Sequence, residues 1–383
     1  MNLATRGIAA ARRRLLRFLR RPAPAARLRQ PHHTTREWAA AAGAQFWEIY
    51  PAENMILRPP AYDFGYNSIT RGRERELYPP CFIAAIPDGE IWQRAFAFNF
   101  VFASDRRPLR DLVFRRYTYE AMVGDVLAQR EPFPRARHFR GVTLDLTCLG
   151  DGWNYSHWLF DCLPKLAWLS WLPADIKVDR ILVNARAPFV LETLQARGWK
   201  DETVVALEET RARLSFELLL ATSPITSAYH PCRILDDLLR LVPRRNSMPL
   251  GSRLYISRAD APSRRARNEA QVIKFLQRRG FDIMVPAKMT VAQQAACFSS
   301  ANWVVGPHGA GLANIVFCHP GTKVLEFFPD GYESINYWSL SSTVGLDYAC
   351  LAFPGLSSPP KHADYEVDLA RLESALRTMG FAD

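Results

Sequence analysis

Residues 303–328 limit the possible folds of this chain more than any other stretch. An apolar run ends at Val305 and leads into Gly306, Pro307, His308, Gly309, Ala310 and Gly311. A short helix is predicted over Leu312–Phe317, Pro320 and Gly321 stop it, and Lys323–Phe328 reads as a second buried strand. Strand, glycine-rich turn and helix start together favour an anion, because unpaired N–H groups at the helix start face outward and small residues allow close approach. His308 adds a donor or a proton-transfer group. The same residues also fit a tight turn whose glycines serve packing alone. No Lys-Ser/Thr pair follows the glycines and the three-glycine dinucleotide pattern is missing, so neither a Walker loop nor a dinucleotide fingerprint is indicated.

The strands and helices around this turn alternate. Leu254–Ser257 reads as a strand with Arg258 at its C-terminal end, where ligands of open parallel sheets bind. Arg264, Arg265 and Arg267 follow in a loop. Asn268 is the expected cap of a helix over Glu269–Arg279, Phe281–Val285 is the next strand, and Thr290 with Gln293 forms a capping box. The resulting β-α-β-α-β-α-β order predicts a half-Rossmann-like unit. Glu326 lies inside an apolar strand, so it either pairs structurally or reaches a ligand. Tyr332, Asn336, Tyr337 and Trp338 are expected along a cleft. Leu346–Phe353 reads as a strand, and a final helix, Val367–Met379, is expected to pack back against the first domain and tie the halves together.

Upstream, Phe82–Ile86 and Ile91–Ala103 read as strands joined in a hairpin through Asp88-Gly89. Tyr117–Gln129 is a short predicted helix. Val142–Leu149 is strand-like and ends at Gly150-Asp151-Gly152. A largely apolar helix follows, with Asn154 or Ser156 as its cap. His157, Asp161 and Lys165 recur every four residues on one face of it. Polar groups on a buried helix need a reason: His157 and Asp161 either perform proton chemistry or satisfy each other within a packing layer. Pro164 is expected to kink the helix. Arg180–Asn184, Phe189–Ala196, Thr203–Leu207, Leu214–Ala221 and Arg233–Leu241 then alternate as strands and helices of a parallel sheet. Turn formers at Pro243–Gly251 mark the best internal boundary. It gives a tail over 1–44, a first domain over 45–245 and a second over 246–383.

Of the formal charge of +11, residues 1–36 hold ten arginines and no acidic residue, so the remainder is close to neutral. A basic body tracking nucleic acid is therefore not indicated. Leu3, Ile8, Leu15, Leu16, Phe18 and Leu19 interleave with arginines, as in a helix lying on an anionic membrane surface. The tail has no run long enough to span a bilayer and no secretory h-region. Seven scattered cysteines without a CxxC favour reduced thiols, a cytoplasmic setting and no metal site.

Three segments in this order resemble glycosyltransferase family 61, the capsular polysaccharide biosynthesis protein-like group: Asn154–Leu166, Tyr255–Arg258, and Gly306–Asn314 followed by Val324–Phe327. The resemblance implies an α/β, B-type glycosyltransferase fold with two Rossmann-like domains facing a cleft. It implies an inverting transfer from a nucleotide sugar, usually UDP-linked, to a hydroxyl of a glycan acceptor, without a metal or other cofactor. The match puts Arg258, His308, Gly309, Ala310, Gly311, Asn314 and Glu326 on the donor, and Asn154, Lys165, Tyr332 and Asn336 at the acceptor or cleft. His157 is the expected base, with Asp161 orienting it or serving as base, and Asp151 as the alternative. A nucleotide sugar, a glycan or glycolipid and an anionic membrane surface are the expected partners. Bacterial capsule or lipopolysaccharide synthesis, peripheral on the inner membrane, is the expected setting. A noncatalytic glycan- or nucleotide-binding protein, a dehydrogenase-like enzyme and a nucleic-acid binder acting through the tail are the competing classes.

Overall fold

The computed structural model describes residues 31–64, 72–94, 98–112, 135–148, 154–207, 211–225, 229–242, 250–259, 261–332 and 334–382. Most of the basic tail, the helix expected over Tyr117–Gln129, Asp151 and most of the expected boundary lie outside these residues. Strands in the first part are β1 (Phe46–Tyr50), β2 (Glu53–Ile56), β3 (Arg75–Tyr78), β4 (Cys81–Pro87), β5 (Glu90–Arg94), β6 (Phe98–Phe102), β7 (Arg137–Asp145), β8 (Arg180–Val183), β9 (Val204–Ala206) and β10 (Arg211–Thr222). The second part holds β11 (Arg253–Ile256), β12 (Asp282–Met284), β13 (Trp303–Pro307), β14 (Lys323–Pro329) and β15 (Asp347–Phe353).

The first sheet is mixed rather than parallel. β10, β7, β8 and β9 run parallel, whereas β1, β4, β5 and β6 are antiparallel additions. The expected hairpin through Asp88-Gly89 does not form. β4 pairs with Leu218–Thr222 and β5 with Arg211–Ser215, so both run along the same long strand β10. A two-residue hairpin turn of type I′ needs positive φ at both central residues. Asp88 has φ 51°, Gly89 is not among the glycines with positive φ, and the Asp88 N–H bonds Glu217 O at 3.1 Å. The chain therefore jogs and continues, and the hairpin is the one between β5 and β6.

The second sheet is wholly parallel, in the order β12-β11-β13-β14-β15. Its strands alternate apolar residues between two covered faces, as buried parallel strands must. Tyr255, Val305, Leu325 and Phe327 pack with Val272 and Leu276 of the helix Glu269–Gln277 and with Leu372 and Leu376 of the helix Leu369–Thr378. Leu254, Ile256, Val304, Val324 and Phe328 belong to a larger core shared with Trp158, Leu163 and Ile181 of the first part. Each such side chain, fully buried, contributes roughly 1.5–3 kcal/mol.

Thr290 and Gln293 form the expected capping box of the helix Val291–Phe298. Asn268 does not cap with its side chain. Its amide instead bonds the N–H and C=O of Val367 at 2.9 and 2.8 Å, fixing the approach to the last helix. That helix lies on the second sheet. The chain that crosses to it comes from the other end: the Arg58 N–H bonds Ser342 Oγ at 2.7 Å, Trp338 Nε1 bonds Arg58 O at 2.7 Å, and the Ala61 N–H bonds Tyr348 O at 2.9 Å. Among the described residues no helix is long and apolar enough to cross a membrane. Cys232 is exposed and the other six cysteines are buried thiols.

Candidate functional site

The order of the second sheet creates a crevice. β12 lies on one side of β11, and β13, β14 and β15 continue on the other, so the connections leave β11 and β13 in opposite directions. Ligands of open α/β sheets bind at such a switch point, beyond the C-terminal ends of the strands. A cavity of about 400 Å³ opens there. Ser257 and Arg258 line it from the end of β11, and Pro307 with Gly309, Ala310 and Gly311 from the end of β13. Pro286, Ala287, Met289 and Gln294 form another wall, and Tyr155, Pro188, Phe189 and Glu192 face it from the first part.

The glycines of the turn are there for space. Gly309 has φ 173°, extended backbone open to any residue, but a Cβ on it would overlap the guanidinium of Arg258. A Cβ on Gly311 would stand 3.0 Å from Pro286 Cγ and 3.1 Å from Ile256 Cγ2. The Arg258 N–H bonds Glu269 Oε1 at 3.1 Å and its Nη2 donates to Ser263 O at 3.0 Å. The guanidinium is thus held across the glycine turn at the mouth of the crevice. The segment after the turn is a tight three-residue-per-turn helix, Ala310–Phe317, rather than the expected start at Leu312.

His308 does not line the cavity. Its Nδ1 lies 2.5 Å from Glu326 Oε1, and the second oxygen of Glu326 accepts the Tyr348 hydroxyl at 2.6 Å. Burial first, and then the Glu326 charge, hold the Tyr348 hydroxyl well above its ordinary range, so it stays a donor. The imidazole stacks on Phe328, and its Nε2 faces the Tyr332 hydroxyl at 3.4 Å. Glu326 is fully buried, and its two bonds tie the turn to β14 and β15. Asn314 is likewise occupied. It accepts the Tyr155 hydroxyl at 2.8 Å and donates to Gln294 Oε1 at 2.7 Å and Gly311 O at 3.0 Å. Gln294 passes the chain of bonds on to Pro286 O and Met289 O. This network forms the floor of the cavity. Tyr332 lies under Arg264, and Asn336 opens the helix Asn336–Val344; neither is in the cavity wall.

The segment carrying His157 meets the turn from the other side. Asn154 caps it, its side chain accepting the Ser156 N–H at 3.0 Å. Tyr155 reaches Asn314, Ser156 lies in hydrogen-bond reach of Tyr337, and the Tyr337 hydroxyl donates to Gly309 O at 2.7 Å. The helix then widens: the Leu163 N–H bonds Trp158 O, five residues back, before a tighter turn over Leu163–Trp171. Pro164 has no N–H to continue a regular ladder, and a widened turn is one way to absorb it. His157 Nδ1 lies 2.7 Å from Asp161 Oδ2, with 27% of the His157 side chain exposed and Asp161 buried. Burial pushes the Asp161 carboxyl up, while His157 and Lys165 pull the other way. Among the described residues Asp161 Oδ1 has no hydrogen-bond partner. His157 stands two residues along from Tyr155, beyond the cavity wall.

Lys165 turns elsewhere. Its Nζ donates to Thr147 O at 2.9 Å, and it faces a second cavity of about 20 Å³ with Asp145, Thr147 and Thr222. That cavity lies at the switch point of the first sheet, between the ends of β7 and β10, and has room for little beyond water.

Sequence reasoning passed over Tyr155, Phe189 and Glu192. The signal for Tyr155 is a hydroxyl in the first turn of a buried helix, where a phenol needs a partner. For Glu192 it is the lone acid in the apolar helix Pro188–Gln195. Its carboxylate accepts the Val291 N–H at 3.0 Å and the Ala292 N–H at 3.4 Å, capping a helix about 100 residues away in sequence. Among the described residues no three His, Cys, Asp or Glu side chains converge as a metal-ligand group.

The family model described as Glycosyltransferase 61 matches residues 155–325, which include His157, Arg258 and the glycine turn. A β-1,2-xylosyltransferase of Oryza sativa subsp. japonica, RCN11, is 35% identical over 69 residues, 18% of this chain and 13% of that protein. A xylan glycosyltransferase of Arabidopsis thaliana, MUCI21, is 34% identical over 92 residues, 22% of this chain and 19% of that protein. The chain thus spans less than a fifth of the length of either relative.

Proposed function

With residues 155–325 a glycosyltransferase family 61 region, we propose that the chain is a metal-independent inverting glycosyltransferase. It moves a sugar from a nucleotide sugar to a hydroxyl of a glycan. In this reading the two sheets belong to two Rossmann-like domains of a B-type fold, divided near residues 243–251. The observation that carries it is the 400 Å³ cavity at the switch point of the second sheet, inside the matched region and edged by Arg258. A guanidinium and the first N–H groups of the Ala310–Phe317 helix suit a diphosphate. A uridine nucleotide is the proposed donor. One plant relative is named a β-1,2-xylosyltransferase, so a pentose joins the hexoses as a candidate sugar. A bacterial surface glycan, made by an enzyme lying on the cytoplasmic face of the membrane, is the proposed setting.

The acceptor hydroxyl attacks the anomeric carbon in line as the diphosphate departs. His157 takes the hydroxyl proton at Nε2, because Asp161 engages Nδ1 and sets the tautomer. Arg258 stabilises the charge that develops on the leaving oxygen. His308 and Glu326 keep the glycine turn in place and do not touch the donor.

Calorimetry of the purified chain against nucleoside diphosphates, with and without EDTA, tests this reading. Saturable binding of one of them, unchanged by EDTA and weakened in Arg258→Ala, is expected. A folded protein that binds none of them is a noncatalytic or unrelated protein. Binding that vanishes with EDTA ends the metal-independent part.

A further inference from the structure

The cavity wall carries both charges. The second part supplies the Arg258 guanidinium, which crosses Gly309. The first part supplies Glu192, in the same wall as Phe189 and Met289. The helix Val291–Phe298 starts there, and a helix N-terminus is an ordinary anion site. Here the protein's own carboxylate already fills it, through the Val291 and Ala292 N–H groups. A phosphate brought beside Glu192 would meet like charge in a partly enclosed space, where repulsion is stronger than in water. The polyphosphate is therefore drawn to Arg258 and kept from Glu192, which leaves the uncharged part of a nucleotide to meet Glu192. Phe189 and Met289 offer apolar faces to a base. Each carboxylate oxygen has two acceptor sites, and one N–H on each leaves a site to spare. A hydroxyl is the group that fills it.

We propose that Glu192 accepts the ribose hydroxyls of the donor nucleotide and makes the site selective for ribonucleotides. The proposal rests on the nucleotide-sugar reading of this cavity. It also means that the nucleoside touches both parts of the molecule, since Glu192 comes from the first and the phosphate ligands from the second.

The test is calorimetry on the full chain with UDP, GDP, ADP and CDP and with the 2′-deoxy counterpart of whichever binds. In the unaltered protein the deoxy form is expected to bind about 10-fold more weakly, the worth of one hydrogen bond to a charged acceptor. In Glu192→Gln the ratio between the two forms should shrink toward one. In Arg258→Ala both forms should weaken together, with the ratio kept. Equal binding of the two forms by the unaltered protein overturns the proposal, and needs no variant to fold. A ratio that persists in Glu192→Gln overturns it too. In either case diphosphate binding survives and the donor-site reading stands; binding of no diphosphate sinks both.

Discussion

The molecule holds two histidine–carboxylate pairs, and they are built to opposite ends. His157 and Asp161 are neighbours on one helix, with the imidazole partly exposed and one carboxylate oxygen unpartnered among the described residues. His308 stands in the turn just after β13 and Glu326 on the adjacent β14, both carboxylate oxygens are engaged, and aromatic rings surround the imidazole. The first pair leaves part of its imidazole open to solvent. The second has spent its capacity on holding a turn. A histidine beside a carboxylate is therefore not a catalytic sign by itself; the exposure of the ring is what separates the two pairs.

Removing the open pair's base should have the largest effect. His157→Ala is expected to lower kcat by about 100- to 10,000-fold, measured at a temperature where the variant, which leaves the buried Asp161 carboxyl without its imidazole partner, is still folded. Undiminished turnover would end its role as base and erase the contrast. Breaking the closed pair should appear in stability instead. Glu326→Ala strips His308 and Tyr348 of their shared acceptor and should cost about 3–5 kcal/mol in urea unfolding. A normal midpoint with lost donor binding would reverse the assignment and put the closed pair on the ligand. Arg258→Ala belongs to neither pair, and should weaken diphosphate binding about 10- to 100-fold by calorimetry without a change in the pH profile of kcat.

Smaller effects sharpen the contrast. Tyr155→Phe removes the hydroxyl bond to Asn314 and should cost about 1 kcal/mol of stability, read in the same urea titration. The smallest concerns pH. The Asp161 carboxyl is raised by burial, so the native state holds that proton at pH values where the unfolded chain has released it. Its contribution is full below the ordinary carboxylate range and is lost as pH rises toward the native value. Asp161→Asn should flatten that part of the stability curve, and an unaltered slope would show that Asp161 is not raised.

Much of the second sheet was legible because its signals are local. Apolar runs bounded by Gly and Pro, a Thr-Gln capping box and an arginine at a strand end all act within a few residues. The turn itself was legible as a feature, but the purpose of its glycines was not. That purpose depends on Arg258, which lies 51 positions earlier in the chain. The direction of His308 was hidden for a similar reason. Only the β13–β14 register, which sets Gly306 opposite Glu326, brings the carboxylate to the ring. Lys165 has helical spacing from Asp161, yet it points to Thr147 because the widened turn before Pro164 breaks that spacing. The far wall of the cavity, with Tyr155, Phe189 and Glu192, is a meeting of distant segments that no periodicity announces.

The crossing of residues 57–64 to the second sheet has a consequence in time. Arg58 is made early, yet its partner Ser342 follows 284 residues later. A ribosome adding about 5–20 residues per second reaches that partner only after roughly 15–60 s. Throughout that interval Leu57 and the β2–β3 pair find local partners, while Arg58 and Ala61 lack the second-sheet groups they bond in the finished fold. The segment around Arg58 and Ala61 is claimed only once Ser342 and Tyr348 have been made.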